Sequence, residues 1–319
     1  MLQNRGNRRI LVIKHGALGD IVQALDAFAS LRAGNPQAHI TFMTSPGFLS
    51  LAKMMPWFDE VIADPRAGLL NLAAAWRIRQ YFRQKWSVIV DMQCSNRTRN
   101  YFAHFVPSNT RWIGNASGCS DPLPDFTGVN NRDRMVTSAE MAGGISQSPD
   151  MSWLVNEAAQ TDDPTMMMYN KRYAVLIPGC SLAKPQKRWP ANRFAAIGNE
   201  LAVRGFEIVL VGTADDRDAV NAVLAASPNA IDLCGKTNLS GLARLLGGAA
   251  FVIGNDTGPM FLAARAGVPS LMIMGPDTDP TMSAPKGVAT SWLRGTTISE
   301  ISVAAAIDAL ESLGLKPNT

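Results

Sequence analysis

The stretch "HGALGD", residues 15–20, sets Asp20 just after an apolar run, "ILVI", and two glycines, Gly16 and Gly19. A carboxylate at a strand-to-helix corner has two uses. It can cap the helix by accepting a free backbone N–H, or it can take a proton from a substrate hydroxyl as a general base. A second constellation lies in the other half of the chain. "PGCSLAKPQKRWP" (178–190) offers Ser181, Lys184, Lys187 and Arg188; "VGTADD" (211–216) offers Asp215 and Asp216; "IGNDTGP" (253–259) offers Asp256, Thr257 and Gly258. The N–H groups of Thr257 and Gly258 open a helix, where a phosphate binds well, and Gly258 has no Cβ to keep a ligand away. Lys187 supplies the opposite charge, and Asp215 or Asp216 is placed to accept from a ribose or base. Singly, each has a plainer use: Asp256 as a cap, Asp215 and Asp216 as first-turn residues, Lys187 as a solvated cation. Three such loops on one predicted sheet edge point to a nucleotide site.

The elements that must position these groups alternate. "ILVIK", "HITFMT", "DEVIA" and "SVIVDMQ" read as strands, with helices expected over 20–33, in "GFLSLAKMM" and over 68–85. Residues 114–165, rich in Gly, Ser, Asp, Asn and Pro, are read as loops and a linker. The alternation then restarts with strands "YAVLIP", "FEIVLVG", "AIDLCG", "AFVIGND" and "VPSLMIMG". Helices are expected over 190–204, in "DDRDAVNAVLAAS", "NLSGLARLLGGA" and "GPMFLAARAG", and over 299–313. The fold class is therefore α/β: two Rossmann-like, doubly wound parallel-sheet domains, with a ligand cleft expected between them at the carboxyl ends of the strands.

Other chemistries lack their residues. There is no GxxxxGK[ST]. "HGALGD" is not GxGxxG, and the second strand ends "TFMTSPG" without the acid that an NAD site needs. Cys94, Cys119, Cys180 and Cys234 are scattered, and His15, His39 and His104 have no metal-ligand spacing, so no metal site is expected. The apolar segment after the basic N-terminus is too short for a signal core, and no run reaches bilayer length, so a cytoplasmic location is expected. No nucleic-acid partner is expected either.

Charge is uneven along the chain. Residues 1–150 carry 16 Lys+Arg against 11 Asp+Glu, a balance of +5, and residues 151–319 carry 14 against 15, a balance of −1. From Arg66 to Arg111, eight basic residues (Arg66, Arg77, Arg79, Arg83, Lys85, Arg97, Arg99 and Arg111) face one acid, Asp91. As single residues these are solvated cations; as a group they suggest an anionic partner for the first half.

Taken together, "ILVIKHGALGDIVQALDAFASLR", "VDMQ", "PGCSLAKPQKRWP" and "GNDTGPMFLAARAGVP" resemble the heptosyltransferases of glycosyltransferase family 9, over about residues 10–275. The resemblance implies a GT-B fold, with an acceptor domain over 1–160, a donor domain over 161–300 and a terminal helix, 301–319, able to pack back on the first domain. It implies an inverting, metal-independent transfer without a cofactor, from the donor ADP-heptose to a phosphorylated or Kdo-bearing lipopolysaccharide core. Asp20 matches the general base, Lys187 the lysine at the donor phosphates, and Asp256, Thr257 and Gly258 the loop at the diphosphate and sugar. An acid after the "VG" strand end contacts the donor, with Asp215 preferred to Asp216, and Ser181 belongs to the same donor site. Asp91 and Gln93 match a D-x-Q, with Cys94 where a glycine usually follows. Gly16 and Gly19 would keep the first loop thin for an acceptor, and Arg66 and Arg97 would meet its anions. The same basic face would meet an anionic leaflet, making the protein peripheral on the cytoplasmic side of the inner membrane. Phe261 departs from the family's D-T-G-x-x-H. It leaves open another nucleotide-sugar, a protein acceptor, or a binding protein that has lost turnover.

Overall fold

The computed structural model describes residues 8–65, 72–155 and 163–316. The chain divides into two compact units, Met1–Asp150 and Met151–Thr319. The division falls within the 114–165 span read as loops and a linker, and position 160 lies outside the described residues.

Each unit is built on one six-stranded sheet. In the first, β1 (Arg9–Ile13), β2 (His39–Thr44), β3 (Glu60–Ala63), β4 (Val88–Asp91), β5 (Trp112–Gly114) and β6 (Asp121–Pro122) lie in the order β3-β2-β1-β4-β5-β6. In the second, β7 (Tyr173–Ile177), β8 (Glu207–Leu210), β9 (Ile231–Asp232), β10 (Phe251–Asn255), β11 (Ser270–Met274) and β12 (Thr290–Arg294) lie in the order β12-β11-β10-β7-β8-β9. All the pairings are parallel. Both orders are the doubly wound 3-2-1-4-5-6, in which the winding reverses between the first and fourth strands of the unit. That reversal falls between β1 and β4 and between β7 and β10. The register pairs Ile13 with Met43 and with Asp91, and Gly254 with Ile177. The loops after these strands therefore leave from one sheet edge in each unit.

The central strands are apolar and buried on both faces, as a parallel sheet covered by helices requires. In the first unit Leu11, Ile13, Ile78, Phe82, Ile89, Tyr101 and Trp112 share one core cluster. In the second, Leu176, Trp189, Phe194, Ile253, Leu271 and Leu310 do so. Leu310 belongs to the helix Val303–Ser312, so the terminal helix contributes to the second unit's core.

Three expectations change. The helix expected over 20–33 is two, Leu18–Gln23 and Leu25–Gly34, separated by a turn at Ala24. Residues 114–165 are not all loop, because Asn131–Met141 is a helix capped by the Asn130 side chain. Strands β5, β6 and β12 add to the expected set; β6 has two residues, and β12 is a half-exposed edge strand. The helix Asn131–Met141 packs on Leu25–Gly34, buries Met135, Val136 and Ala139, and makes an ion pair with its neighbour. Arg132 Nη2 lies 2.7 Å from Oδ1 of the buried Asp26. Arg132→Ala leaves that carboxylate short of its cation, and is expected to cost about 2 kcal/mol. Chemical denaturation would read this as a lower midpoint at unchanged slope; a loss below about 0.5 kcal/mol would show that the pair only decorates the contact.

Candidate active site

In the first unit the chain leaves β1 through Lys14, His15 and Gly16. Gly16 has a φ of +80°, and a Cβ there would lie 2.7 Å from Ile21 Cγ1, so the position takes glycine. His15 is held from three sides. Its N–H donates to Gln93 Oε1 at 2.9 Å, its carbonyl accepts from Ser45 Oγ at 2.9 Å, and its Nε2 lies 2.9 Å from Asp64 Oδ2. Asp64 is itself buried and accepts a 2.8 Å bond from the Tyr101 hydroxyl. The turn is therefore rigid at the point where it presents the next residues.

Asp20 is the third residue of the helix Leu18–Gln23, not its cap residue. Its Oδ2 accepts from the Ala17 N–H at 3.2 Å, so the carboxylate satisfies one free helix-start donor while staying half-exposed. Gly19 is buried in the first turn of that helix, while Gly16 lies in the loop before it.

Asp91 is completely buried. Its Oδ1 accepts from the N–H groups of Gln93 and Cys94 at 3.0 and 2.9 Å, and burial pushes its pKa up. It holds the turn after β4. Gln93 carries that turn's order to the Asp20 loop through His15. Cys94 has a φ of +49°, a left-handed conformation uncommon for a residue other than glycine. Burial and the nearby Asp91 raise its thiol pKa to about 12, so it is no nucleophile.

The basic stretch is not one surface. Arg97, 32% exposed, donates to the Tyr101 hydroxyl at 3.0 Å and stands 3.9 Å from Asp64 Oδ1. Arg111 pairs with Asp121 at 2.7 Å. Arg77, Arg79, Arg83, Lys85 and Arg99 are exposed, and Arg66 lies outside the described residues.

In the second unit, Asn255 at the end of β10 draws the loops together. Its Nδ2 donates to the Pro178 and Gly179 carbonyls at 2.8 and 3.3 Å, and its Oδ1 accepts from the Trp189 N–H at 2.9 Å. The Trp189 indole donates to the Ile301 carbonyl at 2.9 Å. This buried frame sets Lys187 beside Asp256, with which it forms an ion pair, the two side chains being 16% and 10% exposed. The Thr278 hydroxyl donates to the same carboxylate oxygen at 2.8 Å. An ammonium has three donors, and one serves Asp256. The next residue, Thr257, caps the helix Gly258–Arg265, with no side-chain cap bond of its own.

The two candidate aspartates separate cleanly. Asp216 turns inward and accepts from the Thr213 N–H and hydroxyl, both at 2.9 Å. It fills the space beside Gly179, where a Cβ would lie 2.1 Å from its Oδ1. Asp215 is exposed, as is Ser181 on the loop after β7. Phe261 is buried, 7% exposed, within the Gly258–Arg265 helix. Lys14, His15, Asp64, Tyr101, Asn255 and Thr278 carried no recognisable signal as part of either constellation, because each acts through a partner distant in the chain.

A model of Glycosyltransferase family 9 (heptosyltransferase) matches residues 132–300, more than half of the chain. The chain belongs to glycosyltransferase family 9. Beyond the matched span, this family-9 chain is 25% identical to lipooligosaccharide heptosyltransferase 2 of Haemophilus influenzae, across 86% of this chain and 85% of that one. It is 26% identical to lipopolysaccharide heptosyltransferase 2 of Salmonella typhimurium, across 85% and 83%. Among solved structures, a family-9 glycosyltransferase from Veillonella parvula superposes with a TM-score of 0.77 at 21% identity, covering 96% of this chain and 97% of that one. An Escherichia coli heptosyltransferase solved with ADP gives 0.77 at 19% identity, covering 96% and 100%. These share its fold, which is GT-B.

Proposed function

We propose that this glycosyltransferase moves heptose from ADP-heptose to the inner core of lipopolysaccharide. The observation that carries the reading is the Lys187–Asp256 pair beside a helix N-terminus at the winding reversal of the second sheet. Open α/β sheets bind ligands at that point, and this one is furnished for an anion. The names of the relatives supply the sugar and the acceptor.

In the proposed reaction the Asp20 carboxylate takes the proton of an acceptor hydroxyl while its oxygen attacks the anomeric carbon of the donor. The bond from that carbon to the diphosphate oxygen breaks, ADP departs with the electron pair, and the configuration inverts. The anomeric centre gains oxocarbenium character, as in glycoside hydrolysis. Charge growing on the leaving diphosphate is met by the Lys187 ammonium and the N–H groups at Thr257 and Gly258. Asp215, exposed on the same sheet edge, accepts from the nucleoside, and Ser181 completes the donor site. Arg97 meets an anionic group of the acceptor. With these cations in place the reaction needs no metal, and turnover should persist in a chelator.

A lipid-borne acceptor puts the enzyme on the cytoplasmic face of the inner membrane as a peripheral protein. Among the described residues no helix is long and apolar enough to cross a membrane. The test is transfer with the purified chain, ADP-heptose and core acceptors lacking one heptose. Heptosylated product and ADP in equal amounts are expected. Transfer from a different nucleotide-sugar, with none from ADP-heptose, would overturn the donor.

A further inference from the structure

The helix Leu72–Phe82 carries an exposed face opposite its buried one. Ala74, Ile78 and Phe82 are buried, and Ile78 and Phe82 join the first unit's core. At 100° per residue, Trp76, Gln80 and Arg83 fall on the opposite side, with Arg77 and Arg79 flanking them. The Arg83 N–H still bonds to the Arg79 carbonyl at 3.0 Å, so Arg83 continues the turn. Trp76 is 60% exposed, and Arg77, Arg79 and Arg83 are exposed around it. From Pro65 to Val90 there is no acidic residue. A largely exposed indole among cations, with no carboxylate near in sequence, is a costly surface group in water.

We infer that this face is the surface by which the protein lies on an anionic lipid bilayer, with Trp76 seated at headgroup depth and Arg77, Arg79 and Arg83 against lipid phosphates. Tryptophan favours the membrane–water interface because its ring is apolar and its N–H still reaches a polar partner. Clustered arginines are drawn to an anionic leaflet within about a Debye length. The placement suits the site. The helix follows β3 and returns from the sheet edge that carries Asp20 and Arg97, and Trp76 lies about 6 Å along its axis from Leu72. The inference rests on the proposed function only in taking the acceptor to be lipid-borne. It assigns the membrane to these residues and leaves Arg97 to the acceptor.

The test is co-sedimentation of the full chain with phosphatidylcholine vesicles, with and without phosphatidylglycerol, plus quenching of tryptophan fluorescence by brominated lipid. Turnover on a soluble core oligosaccharide is measured in parallel. Binding is expected to the anionic vesicles only. The triple variant Arg77→Gln, Arg79→Gln, Arg83→Gln is expected to bind about 100-fold more weakly, at about fivefold per arginine. Trp76→Ala should bind several-fold more weakly and lose most of the quenching, while turnover on the soluble acceptor stays at the wild-type level in both variants. Vesicle binding unchanged in either variant, or quenching that survives Trp76→Ala, overturns the inference. So does retention on heparin as strong as on vesicles with no quenching, which would make the face a general polyanion site. Absence of turnover on the soluble acceptor by the wild type, with vesicle binding intact, would instead sink the proposed function alone.

Discussion

Asp20→Asn is expected to lower kcat by about 10²- to 10⁴-fold, the usual range for a general base, while leaving the fold and ADP binding in place. The substitution separates the two uses of this side chain. The amide oxygen of asparagine can still accept from the Ala17 N–H, which Asp20 Oδ2 now does at 3.2 Å, so the start of the helix Leu18–Gln23 keeps its partner. What is lost is the ability to take a proton. Because the loop is pinned through His15 to Gln93, Ser45 and Asp64, the new side chain should stay where the old one stood. Acceptor KM should therefore change little, and the effect should fall on kcat. A carboxylate is a weak base, so its position must do much of the work. Steady-state transfer with ADP release, together with calorimetric ADP binding, checks this. Turnover within a few-fold of wild type would reduce Asp20 to a helix-start acceptor.

Lys187→Ala is expected to cost about 10²- to 10³-fold in kcat, comparable to removing one preorganised donor from a site of developing negative charge. ADP binding should weaken as well, since the ammonium meets the diphosphate in both ground and transition states. The local structure should survive. Asp256 keeps the Thr278 hydroxyl at 2.8 Å, and the Trp189–Asn255 frame does not involve the lysine side chain. Lys187→Arg should recover part of the loss, because it restores the charge with a different donor geometry. If Lys187→Ala keeps both turnover and ADP affinity, then the ion pair with Asp256 is a structural clasp, and the donor phosphates lie elsewhere.

How much was legible beforehand depended on the kind of signal. The buried strands β1, β2, β4, β7, β8, β10 and β11 announce themselves as apolar runs, since parallel strands covered on both faces leave little room for polar residues. Edge strands announce themselves poorly. β12 reads "TSWLR" with a half-exposed pattern, and β6 is a dipeptide. The helix Asn131–Met141 was missed because four of its residues, Arg132, Asp133, Arg134 and Glu140, are charged and its apolar stripe is thin. It is held by the burial of Met135, Val136 and Ala139 and by Arg132 reaching Asp26, a partner 106 positions away.

The same division runs through the site. By itself the sequence determined the two-fold α/β alternation, the strand-end loops that carry Asp20, Lys187 and Asp256, and the family those loops resemble. These are local features: an apolar run, a glycine, and a polar residue at a helix start. The tertiary structure alone decided what each polar group does. It buried Asp91 in a turn and Asp216 against Gly179, and left Asp215, Arg77, Arg79 and Arg83 exposed. The physical reason is that a carboxylate or guanidinium is neutral with respect to its use until its neighbours are known. Burial with nearby N–H groups bonded to it makes a carboxylate such as Asp91 or Asp216 a structural group, and partial exposure at a sheet edge keeps Asp20 and Asp215 available for chemistry.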